Sequence, residues 1–365
     1  MSVRELDFLA ALTEALSPSG YEEAAARVFR EHLRPTADTL ETSVLGSVHA
    51  LLKGRQADGL SVLLAGHIDQ VGFQVAYISE EGFLNLVPVG DIDPAVLPGK
   101  RLEVHTASGL LYGVIGRKPV HIYEYEEEAY PKTIPLHELF LDVGLDGDEA
   151  RRRIAIGDPV VYGTRFTEFG DGLAYAQAFD DKVGAWLTAR VLEEVKAAGG
   201  AAGDVWAVGT VQEEICYRGG QTSAYAIDPD LSITLEVGGT QDHPFADKKF
   251  GRDFKLGQGP IIARGPNVNP VLFDLLVAAA KKEDVPYQVA AMPFADGTDA
   301  SVIQLIKGGK PTALVSVPLR YMHTPVEVID LKDLDRTVQL LTRFILDLDP
   351  ATDFTPTLAN RKERS

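Results

Sequence analysis

Cysteine is almost absent from this sequence: Cys216 stands alone among 365 residues. No disulfide can close within the chain, and no metal site built on paired cysteines can form. Any metal must therefore be held by histidine and carboxylate. Basic residues are also in deficit, 35 against 53 acidic ones, for a formal net charge of -18. An extended phosphate backbone would meet repulsion over most of such a surface, so nucleic acid is not an expected partner. No apolar run reaches membrane-spanning length, so no membrane is expected either. The opening MSVRELDFLAALTEAL carries charges inside its apolar pattern and lacks both a basic start and a small-residue cleavage site, which points to a cytoplasmic protein. Internal repeats and low-complexity tracts are missing as well.

What is present suits a folded chain of one large or two ordinary domains, with 45% hydrophobic residues, 34 Gly and 21 Pro. Leu6, Leu9, Leu12 and Leu16 recur at helical spacing, and SPSGYEE then opens a second helix through AAARVFREHL. GSVHALLKG and LSVLLAGHIDQ read as strands of a central sheet. From Val71 to Gly163 the texture changes to short β-like pieces divided by Gly and Pro. The β/α rhythm resumes with KVGAWLTARVLEEVKAAG and runs to a last helix through DLDRTVQLLTRFILDL. The spacing predicts an α/β domain in two parts, 1–70 and 164–350, interrupted by a small β domain over 71–163. Residues 351–365 read as a frayed tail.

Five short stretches could carry chemistry. In LLAGHIDQVGF, His67 and Asp69 stand two apart at a strand end and point to one face if the chain stays extended; a capped turn with a hydrogen-bonded histidine is the plainer alternative. In AQAFDDKVGAW, Asp180 and Asp181 precede an amphipathic helix. An acid there usually caps the helix, but two acids allow one to cap and the other to act elsewhere. Glu213 and Glu214 end the apolar run VWAVGTV, where a solvated turn is the competing reading. Glu236 interrupts the strand LSITLEV and needs a partner or a metal if buried, with Asp242 and His243 following in a Gly-rich loop. His323 follows the strand TALVSV, in PLRYMHTPVEVID, and could be a turn histidine. Taken together, all five fall at strand ends of one α/β rhythm and outside the insertion. They supply imidazole and carboxylate for two divalent ions, with one carboxylate shared. Such paired ions clamp a water and a carbonyl for hydrolysis.

At this point the chain resembles the dinuclear metal aminopeptidases of the tetrahedral type, which include deblocking and glutamyl aminopeptidases and members once labelled cellulases. The likeness runs in order through SPSGYE, GHIDQVG, IGDPVVY, AFDDKVG, VQEEICYRGG, the Glu236 strand, GTDAS and RYMHTPVEV. It implies a zinc-peptidase-like mixed sheet flanked by helices, with an inserted small β-barrel-like domain that mediates assembly into a hollow tetrahedral dodecamer. It makes His67 a terminal ligand of one metal and His323 of the other, with Asp180 as the bridge and Glu214 and Glu236 completing the two sites. Glu213 is then the general base, and Asp69 orients His67. The implied cofactors are two divalent ions per subunit, zinc first, with cobalt or manganese as alternatives, and the implied substrates are short peptides cut at the N-terminus. Two departures from the pattern stand out. Many relatives carry Asp where Glu236 stands, and EEICYRGG places Cys216 and Tyr217 near the site in place of Val-Gly-Leu.

Two other functions compete. A glycoside hydrolase could use Glu213 and another acid as an acid and base pair, but it has no use for histidine ligands. A non-catalytic assembly module could keep the fold without the activity, but its mark would be a missing acid or histidine, and all are present.

Overall fold

The computed structural model describes residues 1–357 except 2, 126–130, 132, 245, 247, 248, 250–252 and 296. Residues 358–365 of the expected tail lie outside the described residues. The chain builds a mixed α/β domain around an eight-stranded sheet, together with a closed six-stranded barrel. This is the fold class that the sequence suggests.

Across the large sheet the strands run Thr39–Thr42, Val48–Leu52, Val205–Thr210, Val62–His67, Leu231–Gly239, Thr312–Leu319, Ile261–Arg264 and Gln288–Ala291. The four central strands, from Val205–Thr210 to Thr312–Leu319, are mutually parallel. A parallel strand is covered on both faces, which explains the unbroken apolar run of Val62–His67. Val62 and Leu64 join the main core with the helices Val3–Glu14, Glu23–Leu33, Phe179–Ala197 and Leu331–Leu346. Leu63 and Ala65 face the other way, against Ala224 of the helix Arg218–Ile227 and Ile303 of the short helix Ala300–Ile303.

The helix Phe179–Ala197 is buried over most of its length and lies against the strand that ends at His67. Their approach needs glycine on both sides: a Cβ on Gly66 would fall 2.2 Å from the Gly184 carbonyl carbon. Asp180 and Asp181, at the head of that helix, are thereby pressed against the strand end.

The barrel strands run from Gly72–Ile78 to Pro159–Tyr162 and enclose Phe73, Leu86, Leu102, Ile115, Leu141 and Val160. Its first and last strands pair, Phe73 opposite Val160, so the chain leaves and re-enters the α/β domain at one place. A separate three-stranded sheet pairs Ala176 with Glu327 and so brings the segments carrying Asp180 and His323 side by side. No helix among the described residues is long and apolar enough to cross a membrane.

Candidate metal centre

Parallel pairing sets His67 level with Thr210 at the carboxyl edge of the sheet, where open α/β sheets place their sites. Just beyond Thr210 the backbone turns sharply, with Gln212, Cys216 and Tyr217 all at positive φ. Non-glycine residues keep such angles only where the surroundings enforce them. Asp69 holds the two residues inside this turn. Its two carboxylate oxygens accept the backbone N–H groups of Glu213 (3.1 Å) and Glu214 (3.2 Å), and one also accepts the Ser19 hydroxyl at 2.6 Å. Glu22 accepts the N–H groups of Gly20 and Gln212. The SPSGYEE stretch is thus a brace behind the two adjacent glutamates.

The two consecutive aspartates divide their work. Asp181 accepts the N–H of Gly184 at 2.9 Å, inside its own helix, and the N–H of His67 at 3.2 Å. Asp180 turns the other way and presents one oxygen to each histidine: Oδ1 lies 3.3 Å from His67 Nε2, and Oδ2 lies 3.2 Å from His323 Nε2. The remaining acids close in around them. His67 Nε2 is 3.8 Å from Glu213 Oε2 and 3.8 Å from Glu236 Oε2, and His323 Nε2 is 3.5 Å from Glu214 Oε2. His67, Asp180 and Glu236 form one group of atoms able to hold a metal ion, and Asp180, Glu214 and His323 form a second, with the atoms of each group within 4.8 Å of one another. Asp180 belongs to both.

Both imidazoles are oriented from behind by carbonyl oxygens, which can only accept. His67 Nδ1 lies 3.1 Å from the Asp69 carbonyl, and His323 Nδ1 lies 2.9 Å from that of Asp91. The proton is therefore fixed on Nδ1, and each Nε2 faces the acids. The electrostatics are those of a site short of positive charge. Burial, reinforced by Glu236, Asp299 and Glu214 against the opposing pull of His67, pushes the Glu213 carboxyl up to about 11. Burial and Asp180 push Glu214 to about 8. Burial works against a charged His323, but Asp180 and Glu214 outweigh it and raise the imidazole to about 10. Asp180 is held below the usual carboxylate range because the two imidazoles outweigh its burial. Glu214 Oε1 and Glu236 Oε1 are buried without a hydrogen-bond partner among the described residues. Buried acceptors left open beside two imidazoles are a donor set that fits divalent cations.

The seven residues to which the resemblance gives a role, His67, Asp69, Asp180, Glu213, Glu214, Glu236 and His323, meet here. Glu236 sits within its strand rather than at the end of it, because that strand runs on through Gly239. Asp242 is engaged elsewhere, in a two-bond pair with Arg320 at 2.8 and 2.7 Å, and His243 lies outside both groups. Cys216 and Tyr217 line the adjoining cavity.

Sequence reasoning passed over two buried acids. Glu327 accepts the N–H of Asp180 at 3.0 Å and that of His323 at 2.8 Å, which ties the shared carboxylate to the second histidine. Asp299 accepts the Thr210 hydroxyl at 2.6 Å, beneath the turn that carries Glu213. Both lay in stretches that stood out, HTPVEV and GTDAS, as acids next to apolar or turn residues.

Comparison with known proteins places the chain in a family of aminopeptidases. The family model described as M42 glutamyl aminopeptidase matches residues 46–340. The lysyl aminopeptidase of Pyrococcus furiosus is 32% identical over 351 residues, covering 94% of this chain and 97% of its own. The structure of a TET aminopeptidase from the marine sediment archaeon Thaumarchaeota archaeon SCGC AB-539-E09 superposes with a TM-score of 0.89 at 31% identity, covering 100% of both chains. The Pyrococcus horikoshii TET1 peptidase, which can assemble into a tetrahedron or a large octahedral shell, gives a TM-score of 0.82 at 26% identity, covering 94% of this chain and 100% of its own.

Proposed function

The chain belongs to the M42 glutamyl aminopeptidase family, and from that premise we propose that its aminopeptidase reaction runs at a two-ion centre. His67 and Glu236 would hold one ion, His323 and Glu214 the other, and Asp180 would lie between them. The observation that carries this reading is the split of Asp180, whose two oxygens each face a different imidazole. When bound, such ions supply Lewis acidity, lowering the pKa of water and polarising a carbonyl oxygen.

The protein's own groups supply the rest. Glu213 reaches the same space as His67 Nε2 yet belongs to neither group of metal-holding atoms; cations bound beside it would lower the raised pKa of its carboxyl and leave it able to carry a proton from the attacking water to the departing amine. Asp69 keeps Glu213 and Glu214 aimed inward by holding both backbone N–H groups. Glu327 keeps Asp180 and His323 in register. Zinc is the first candidate for both positions, with cobalt or manganese as the alternatives, since imidazole and carboxylate ligands suit all three.

We also propose that the barrel is the assembly domain and that the protein forms a closed homo-oligomer, a tetrahedral dodecamer, acting on short peptides. Leu110, Tyr112 and Val114 alternate outward on one barrel strand and are exposed, as a surface that meets another copy would be. Metal analysis of the purified protein beside hydrolysis of a panel of aminoacyl-anilides tests the function. Two ions per subunit with cleavage is expected, and bound metal without cleavage of any anilide would remove the catalytic reading.

A further inference from the structure

A cavity of about 370 Å³ opens beside the cluster of imidazoles and acids, and its two ends differ in chemistry. One end is the cluster itself. The other is walled by Phe254, Ile261, Met292 and Leu314, of which Phe254, Ile261 and Met292 pack on one another.

Strand register sets the distance between the two ends. Glu236 stands opposite Ser316 on the next strand, and Ser316 opposite Ile261 on the one after. These side chains form a row across one face of the sheet, and two strand spacings put Ile261 roughly 10 Å from the strand that carries Glu236. Leu314 stands on the same face as Ser316, one pleat back. A peptide whose scissile carbonyl sits at the cluster has its first side chain within reach of this apolar floor.

Among the described residues that line the cavity, every acid stands at the cluster end, with Asp91 beside His323, and no lysine or arginine lines it. A charged side chain pushed to the far end would lose its water and find no counter-ion among the described lining residues, which is strongly unfavourable. A very small side chain would leave the floor unfilled.

We propose that this apolar end receives the side chain of the substrate's N-terminal residue and selects uncharged apolar side chains of leucine, methionine or phenylalanine size. The proposal rests on the aminopeptidase reading and narrows it. It sets this chain apart from the activities in the names of its family and of its Pyrococcus furiosus relative, which are glutamyl and lysyl.

The test is kcat/KM of the metal-loaded protein on the p-nitroanilides of leucine, methionine, phenylalanine, alanine, lysine and glutamate. The three large apolar substrates should exceed lysine and glutamate by roughly 10² or more and alanine by roughly 10-fold or more. Inhibition constants of the free amino acids should follow the same order, which reads the pocket without a scissile bond. Met292→Glu, at the apolar end, should shift the preference toward lysine by 10-fold or more while keeping metal content. A wild-type preference for lysine or glutamate would overturn the pocket assignment and leave the peptidase standing, whereas cleavage of no anilide would overturn both.

Discussion

His323 Nδ1 lies 2.9 Å from the backbone carbonyl of Asp91, a contact across 232 positions of sequence that joins the barrel to the candidate metal centre. The inserted domain therefore orients one of the two imidazoles in addition to any part it has in assembly. Its hold depends on the turn just before Asp91.

Gly90, at φ +80°, makes that turn, and a Cβ there would fall 2.8 Å from Val71 Cγ1. Gly90→Ala should displace the Asp91 carbonyl while leaving both cores intact, since neither uses Gly90. Groups that orient a metal ligand typically contribute 10- to 100-fold to metal affinity or activity. The expected result is loss of metal from the His323 position first, with kcat falling in that range. Metal stoichiometry and turnover unchanged from wild type would make the contact dispensable.

Glu22 gives a pH dependence whose sign is fixed. Burial outweighs its hydrogen bonds and raises its carboxyl from 4.5 to about 7. Between those values the folded chain holds a proton that the unfolded chain has lost, so the stability contributed at Glu22 falls as pH rises from about 4.5 through 7. At full effect the loss is of order 3 kcal/mol. Glu22→Gln stays neutral and can still accept the N–H groups of Gly20 and Gln212. The melting temperature should therefore drop less between pH 5 and pH 7.5 in the variant than in wild type, by about 3 °C at roughly 1–1.5 °C per kcal/mol for a chain of this length. Parallel curves for the two proteins would show that Glu22 does not titrate in this window.

The site was legible wherever an acid or imidazole broke an apolar pattern. His67 and Asp69 end a strand buried on both faces, and Glu236 interrupts another, so each needed a reason to be there. Glu327 was hidden by its setting: in PVEVID an acid among alternating apolar residues reads as the solvent face of a strand, and only the tertiary pairing with Ala176 buries it. The Asp91 carbonyl could not be read at all, because a backbone acceptor has no side-chain signature. The fold class followed from the β/α rhythm. The barrel was expected from the family resemblance and not from that rhythm, since its closure depends on pairings between segments far apart in sequence.

Removing either imidazole should reduce metal content and activity together. His67→Ala and His323→Ala each take the nitrogen from one group while leaving Asp180, common to both, in place. The acids around it then face one another with less positive charge between them. Chelation of the wild-type protein should act in the same direction on stability, because a ligand at 100 times its Kd adds about 2.7 kcal/mol. Melting curves with and without chelator, beside metal analysis of both variants, read this out. A full metal complement in either variant would remove that histidine from the ligand set.

The adjacent glutamates offer the sharpest test. Both backbone N–H groups are held by the same carboxylate, Asp69, so the turn fixes two neighbouring side chains at once, and the chain direction sends them to different places. Glu214 reaches His323 and belongs to a metal-holding group, whereas Glu213 reaches His67 from outside both groups. A ligand cannot readily leave its ion to move a proton, and a base must keep a free oxygen, so the two tasks exclude each other within one carboxylate. Glu213→Gln should keep both ions and still bind substrate while kcat falls by roughly 10² to 10⁴, the usual contribution of a positioned base. Glu214→Gln should lose one ion, with activity falling along with it. Metal stoichiometry and kcat for both variants decide the matter: metal loss at 213 with retention at 214 would exchange the two roles. Full metal and full activity in both would leave the pair as no more than the lining of a turn.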